Sequence, residues 1–278
     1  MKKKLIRIIP KLDIKNGNLI KGINLEGLRV LGNPIFFAEN YYNQGADEII
    51  YLDNVATLYG TNNLTKFVKK TAKKIFIPLT VGGGIKNLYE IEQMLKNGAD
   101  KVSINSAAID DLNFIKKASK TFGSSTIVSN IECICINNKY YVSKSNGRDL
   151  VNKNPYDWAR KLEDSGLGEI LLTSVNSEGL QKGFDIKLTK KISNAVSIPV
   201  IASGGAGNFN HVLEVIKKTN IDGVSLSSLI HYDVFTNFPF KKQKIGNYHY
   251  LENSHKKKST QALKNLKNFL RIKGINVR

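Results

Sequence analysis

The chain states one phrase twice. Ile77-Pro78-Leu79-Thr80-Val81-Gly82-Gly83-Gly84-Ile85 is a run of β-formers that empties into bare glycine backbone. Ile198-Pro199-Val200-Ile201-Ala202-Ser203-Gly204-Gly205-Ala206-Gly207 repeats the grammar. Pro78 and Pro199 stand 121 residues apart, and so do Gly83 and Gly204 and the pair Glu48 and Glu169. The run from Asp100 to Ser106 is answered by Asp222 to Ser228 at an offset of 122, and Asp13 by Glu132 at 119. A period near 120 is too long for a solenoid unit. It fits two halves of one domain, each carrying four strands.

Apolar runs of strand length alternate with longer amphipathic stretches. Strands are expected near 6–14, 48–53, 75–81, 101–105, 126–133, 169–174, 198–203 and 222–226. Helices are expected at 34–45, 64–74, 88–98, 108–121, 155–166, 186–195, 208–218 and 259–273, with Asn87 capping the third and Gly98 ending it. Near-continuous Val/Ile/Leu strands, each followed by a helix, indicate a parallel sheet buried on both faces. Eight such units with twofold similarity predict a closed (β/α)8 barrel filling residues 1–278. A doubly wound open sheet is the alternative, but it leaves the matched glycine loops unexplained. Two segments depart from the pattern: Lys15 to Gly32 reads as a long polar connection, and 235–258 as a basic insertion before the last helix.

The net charge of +19 is unevenly placed. From Lys241 to Arg278 nine lysines and two arginines face Glu252 alone, so more than half the excess lies in the last 38 residues. Lysine without arginine forks or a recognition motif reads as a basic surface, and nucleic acid is not an expected partner. The apolar start is broken by Arg7 and Pro10, too short for a signal or membrane segment. Cys133 and Cys135, two apart on one strand, have neither metal-ligand nor disulfide spacing, and suggest reduced thiols in a cytoplasm. No metal or cofactor is expected.

In barrels of this kind, reacting groups stand at the C-terminal ends of strands. Asp13 and Glu132 end the first and fifth strands and should face each other across the mouth, as suits paired acid and base work. Gly84 with Asn105 and Ser106, and Gly205 with Ser227 and Ser228, form two matched sites for anions. Matched anion sites suggest a ligand with a phosphate at each end. Lys21 and Gly22 lie in the polar connection, a candidate active-site loop. At the opposite end Arg7, Glu48, Lys101 and Glu169 should enter the barrel base as a balanced charged ring. The residues alone leave open a purely structural ion-pair layer there.

The run from Arg7 to Asp13, then Lys21-Gly22, Gly45-Ala46-Asp47-Glu48, Val81 to Ile85, Ala99 to Asn105, Gly168 to Ser174 and Ala202 to Gly207 together resemble the cyclase subunits of imidazole glycerol phosphate synthase. The resemblance covers about residues 5–233 and resumes at the C-terminal helix, ending in Gly274-Ile275-Asn276-Val277-Arg278. It implies a lyase of histidine biosynthesis that receives ammonia from a glutaminase (amidotransferase) subunit in a heterodimer and acts on a bis-phosphorylated ribulotide. It further implies Asp13 and Glu132 as the acid/base pair and Lys21 in a mobile loop over the substrate. Glu178, Gly179 and Gly204 would join the phosphate-binding residues. Arg7, Glu48, Lys101 and Glu169 would gate the ammonia passage, and Asp100 would face the glutaminase. The chain departs from the family pattern at Glu132 and Glu178, where aspartate is usual, and at Ile134, where lysine is usual. Those departures also suit a paralogous barrel paired with an amidotransferase in surface-polysaccharide amidation.

Overall fold

The computed structural model describes residues 4–54, 64–237 and 261–278. In chain order the elements are β1 (Arg7–Lys15), β2 (Asn18–Ile23), β3 (Glu26–Gly32), α1 (Pro34–Asn43), β4 (Ile49–Asp53), α2 (Thr65–Thr71), β5 (Leu79–Gly82), α3 (Leu88–Lys96) and β6 (Lys101–Ile104). There follow α4 (Ser106–Asp110), α5 (Leu112–Phe122), β7 (Ile127–Ile136), β8 (Lys139–Lys144), β9 (Asp149–Val151), α6 (Pro155–Asp164), β10 (Glu169–Ser174) and α7 (Ile186–Ser193). The described chain closes with β11 (Val200–Ser203), α8 (Phe209–Lys218), β12 (Gly223–Leu226), α9 (Ser228–Asn237) and α10 (Ala262–Ile272).

Eight parallel strands pair in the order β10-β11-β12-β1-β4-β5-β6-β7, and β7 pairs with β10 to close the ring. This is a (β/α)8 barrel. Its strands are buried on both faces, which is why they read as unbroken apolar runs. Ile9, Ile50, Leu52, Val128, Leu171 and Ile201 form a core cluster of their own, separate from the larger shell of residues between strands and helices. They occupy the barrel interior.

The half-barrel repeat is physical. Asn33 and Asn154, 121 residues apart, each cap a helix whose first residue is proline, and each side chain accepts the N–H two residues on. Asn87 and Asn208 likewise each accept the N–H three residues on, at the starts of α3 and α8. Asp100 accepts from the Leu79 N–H at 2.8 Å, and Asp222 from the Val200 N–H at 3.0 Å, so each half ties two neighbouring strands by the same carboxylate.

Five expectations need correction. Lys15 to Gly32 is a β-hairpin, β2 and β3, continuing antiparallel from β1 through a turn at Asn16 and Gly17. The fifth strand runs on to Ile136 and folds back as β8 and β9, matching that hairpin in the second half. The 108–121 helix breaks at Asp111, which caps α5 instead of continuing α4. α9 occupies Ser228–Asn237, so the segment read as an insertion from 235 begins inside a helix; its remainder, 238–258, lies outside the described residues. Strands three and seven also start later than expected, after Pro78 and Pro199, whose missing N–H groups suit a strand end. At the base, the Ile6 bridge to Val277 and the buried ion pair of Lys267 with Asp47 (2.8 Å) fasten the C-terminal segment to the barrel.

Candidate active site

Strand alternation builds the site. Arg7, Ile9, Lys11 and Asp13 alternate along β1 with the outward Ile8 and Leu12, so a charged base residue, an apolar layer and a polar mouth follow from one strand. On β7 the same parity brings Val128, Asn130 and Glu132 inward. β1 and β7 stand four places apart in the eight-membered ring, so Asp13 and Glu132 approach from opposite sides. Both are buried, and both line one cavity of about 760 Å³. Lys11, Ser103, Asn130 and Thr173 line it too.

The two glycine loops also come to this end. Gly84, Asn105 and Ser106 line the same cavity, while Gly179, Gly204, Gly205, Ser227 and Ser228 line a smaller recess beside Glu178. β5 and β6 oppose β11 and β12 in the ring, so the two cradles flank the carboxylates from opposite sides. The backbone needs glycine here: a Cβ on Gly205, at φ +107°, would stand 2.0 Å from the Gly183 carbonyl oxygen. The buried hydroxyls of Ser203 and Ser225 lie at the recess, and that of Ser103 at the cavity; none has a hydrogen-bond partner among the described residues.

Lys21 belongs to a strand, not an open loop. It is 3 % exposed, and its Nζ donates to Glu178 Oε1 at 2.5 Å. The hairpin that carries it is fastened again where the Asn24 N–H donates to the Glu178 carbonyl (2.8 Å) and Asn146 Nδ2 to the Leu25 carbonyl (3.3 Å). Lys11, only 2 % exposed, lies 3.7 Å from Asp13 Oδ1 and 3.6 Å from Glu178 Oε2. These separations are within ion-pair range but beyond hydrogen bonding.

The environment sets each proton affinity. Burial pushes the Glu132 carboxyl up to about 7, against the Gly147 N–H, Lys11 and Asn105, which favour its charge. Burial also raises Asp13, opposed chiefly by Lys11 and then Lys21. Burial would raise Glu178 as well, but Lys11 and Lys21 outweigh it and hold that carboxyl at about 2. Asn130 orients Glu132: its Nδ2 donates to Glu132 Oε1 at 3.1 Å while its Oδ1 accepts from the Thr173 hydroxyl at 3.2 Å. Sequence reading missed Lys11, Asn130 and Thr173, although each follows from strand parity with a neighbouring site residue.

At the base the charged ring exists. Arg7 pairs with Glu48 (3.0 Å) and Glu169, and Lys101 with Glu48 (3.1 Å) and Glu169 (2.8 Å), while the Thr80 hydroxyl donates to Glu48 at 2.6 Å. The apolar interior layer lies between this ring and the mouth. Asp100 is exposed at the same end. Among the described residues no cluster of His, Cys, Asp and Glu could hold a metal ion, and no helix is long and apolar enough to cross a membrane.

A closed barrel with buried carboxylates at its mouth is the framework of a (β/α)8-barrel enzyme. The family model described as "Histidine biosynthesis protein" matches residues 7–236. The chain belongs to that family. It is 54% identical over 203 residues to the imidazole glycerol phosphate synthase subunit HisF of Legionella pneumophila, covering 73% of this chain and 96% of the relative. It is 45% identical over 227 residues to the subunit of that name from Bacillus cereus strain G9842, covering 81% and 90%. The Staphylococcus saprophyticus subunit is 43% identical over 234 residues, again covering 81% and 90%. Each relative is named as a subunit of a synthase.

Proposed function

We propose that this chain is the cyclase subunit of an imidazole glycerol phosphate synthase. It takes ammonia from a glutaminase subunit and converts a bis-phosphorylated formimino ribulotide to imidazole glycerol phosphate and aminoimidazole carboxamide ribotide. The single observation that carries this reading is the placement of Asp13 and Glu132 on opposite sides of one cavity, between two anion cradles. Gly84, Asn105 and Ser106 hold one phosphate; Gly179, Gly204, Gly205, Ser227 and Ser228 hold the other, with Glu178 and Lys21 at its edge. The substrate spans the mouth, so its ketose carbonyl and formimino carbon lie between the carboxylates.

Ammonia condenses with the ketose carbonyl, whose oxygen leaves as water; the new nitrogen closes on the formimino carbon, and the bond from that carbon to the nitrogen of the aminoimidazole carboxamide breaks to release the two products. Asp13 and Glu132 move the protons these steps require. Glu132, poised near neutrality, can give or take a proton at working pH. Ammonia enters at the base through the ring of Arg7, Glu48, Lys101 and Glu169 and passes the apolar interior. The glutaminase docks at that end, where Asp100 is exposed and the large side chains Leu5 and Phe76 are solvated just before β1 and β5. Residues 1–278 act as one barrel, with 238–258, after α9, as an addition before the last helix, and the complex works in the cytoplasm. The test is turnover of the ribulotide with ammonium salt alone, abolished by Asp13→Asn, and with glutamine only once a glutaminase is added.

A second reading rests on Glu132 and Glu178, whose side chains are one methylene longer than the aspartates usual in the family. A displacement of about 1 Å at a reacting group can cost on the order of 100-fold in rate. The longer acids suit a paralogue that delivers ammonia to a sugar in surface-polysaccharide amidation. Failure to complement a histidine auxotroph, with glutaminase binding intact, selects this reading.

A further inference from the structure

Lys11 is a buried cation that the proposed reaction has not used. It follows Ile9 on the inward row of β1, lines the cavity, and is the charged neighbour that Asp13 and Glu178 share. The mouth holds four buried carboxylates, Asp13, Asp53, Glu132 and Glu178, and two buried ammonium groups, Lys11 and Lys21. Among the described residues the ion pairs there join Lys11 and Lys21 to Asp13 and Glu178, and none reaches Glu132.

Lys21 is committed to Glu178 at 2.5 Å, and Glu178 reaches Lys11 with its other oxygen at 3.6 Å. Asp13 Oδ1, buried and without a hydrogen bond, has Lys11 at 3.7 Å as its ion-pair partner. Glu132 is held instead by neutral donors, Asn130 and the Gly147 N–H. We propose that Lys11 is a positioning residue that divides the labour of Asp13 and Glu132: it holds Asp13 ionised and leaves Glu132 to carry the proton that the mouth retains. The backbone of Lys11 is fixed for this task, since its carbonyl accepts from the Ser227 hydroxyl and meets His231 Nε2, each at 2.9 Å. His231 is buried and its affinity falls to about 3, chiefly through burial, so it stays neutral and adds no charge. The titratable groups that act on Lys11 are Asp13 on its own strand, Glu178 after β10 and Glu132 on β7, while Asp53 on β4 lines the same cavity and Lys21 on β2 shares Glu178 with it. Burial works against the Lys11 charge, but Asp13, Glu178 and Glu132 outweigh it and favour the ammonium.

The role of Lys11 in turnover rests on the function proposed above, so its test reads the carboxyl group directly as well. The full chain is labelled with carboxyl-13C aspartate, and the Asp13 signal is assigned by its loss in Asp13→Asn. In Lys11→Met the midpoint of that signal should rise by about one to two pH units. In Lys11→Arg it should stay within about half a unit of wild type, since the cation is retained. Lys11→Gln, which keeps a polar side chain, gives the same reading if the methionine variant does not fold. If neither folds, Glu178→Gln serves: leaving Lys11 to Asp13 alone, it should lower the midpoint. In ammonium-driven turnover, the acid limb of the Lys11→Met profile should move by the same interval, with kcat falling about tenfold per unit on that limb and KM little changed. An Asp13 midpoint that ignores these substitutions overturns the proposal. A wild-type chain that does not turn over the ribulotide, but whose Asp13 signal shifts as stated, overturns the function and leaves the role of Lys11 standing.

Discussion

The backbone N–H of Gly147 donates to Glu132 Oε2 at 2.9 Å, so the tip of the β8–β9 hairpin holds one of the mouth carboxylates. Gly147 stands at φ +80°, and a Cβ there would lie 3.2 Å from Val175 Cγ1 and 3.3 Å from Leu25 Cδ1. Gly147→Ala is therefore both strained and crowded, and should push the tip off Glu132. Losing a hydrogen bond to the charged form raises the affinity for a proton further. The ammonium-driven kcat/KM of the wild type should inflect near pH 7. In Gly147→Ala the inflection should move to higher pH by about one unit. An inflection that does not move would show that Glu132 is held by other groups.

Glu132 and Glu178 pull stability in opposite directions. The Glu178 carboxyl, held at about 2 in the fold, binds fewer protons there than in the unfolded chain, so its stabilisation is present above about pH 4.5 and lost as pH falls toward 2. Glu132, raised to about 7, binds more protons when folded, so its contribution is present below about pH 4.5 and lost as pH rises through 7. Urea midpoints measured from pH 3 to 8 should show an acid-side loss that Glu178→Gln flattens. Glu132→Gln should remove a decline on the neutral side. The opposite pairing of variant and limb would refute the assignment.

Much of this was legible in the sequence because the strands are short and buried on both faces. Ile9, Ile50, Val128 and Leu171 announce their strands by apolarity, and glycine pairs announce the loops after β5 and β11. The hairpins were harder. Lys15 to Gly32 is rich in Lys, Asn and Gly, and its few apolar residues suggest a loop. Yet Asn16-Gly17, both at positive φ in a two-residue turn, is a strong hairpin signal. Asn137-Asn138 is the weaker counterpart in the second half. Lys11 escaped for a different reason: a lysine inside a barrel runs against expectation for a charged side chain. Only its two-residue spacing from Asp13 gives it away. Side-chain partners, such as the choice of Glu178 by Lys21, arise from elements more than 150 residues apart and carry no local signature.

The base ring should behave as a unit. Glu48 is buried, whereas Arg7 and Lys101 are about one-fifth exposed, so solvent reduces the cost of disturbing them. Lys101→Met leaves two carboxylates with one cation and should destabilise by about 1–3 kcal/mol, below the range for a fully buried pair. Adding Glu169→Gln restores the balance of charge, and the double variant should lose less than the sum of the two single losses. Urea denaturation of the three variants measures the coupling; strict additivity would mean that the four side chains do not act together.

Gly205 in the second cradle and Gly27 in the β2–β3 hairpin make separable predictions because the space around them differs. At Gly205 an added Cβ would strike the Gly183 carbonyl oxygen, whose residue is itself tied by its N–H to the Gly205 carbonyl at 2.8 Å. Gly205→Ala must therefore displace one of the two loops that shape the recess. Gly27, at φ +60° with nothing within 4 Å of where a Cβ would stand, is the control. Gly27→Ala should cost only the left-handed backbone strain, about 1 kcal/mol, and leave the KM for the ribulotide unchanged. Gly205→Ala should raise that KM by about tenfold or more, the loss of roughly one charge-assisted hydrogen bond to phosphate. Inorganic phosphate, as a competitive inhibitor, should weaken in parallel. Equal KM values in the two variants would place the second phosphate away from the β11 loop.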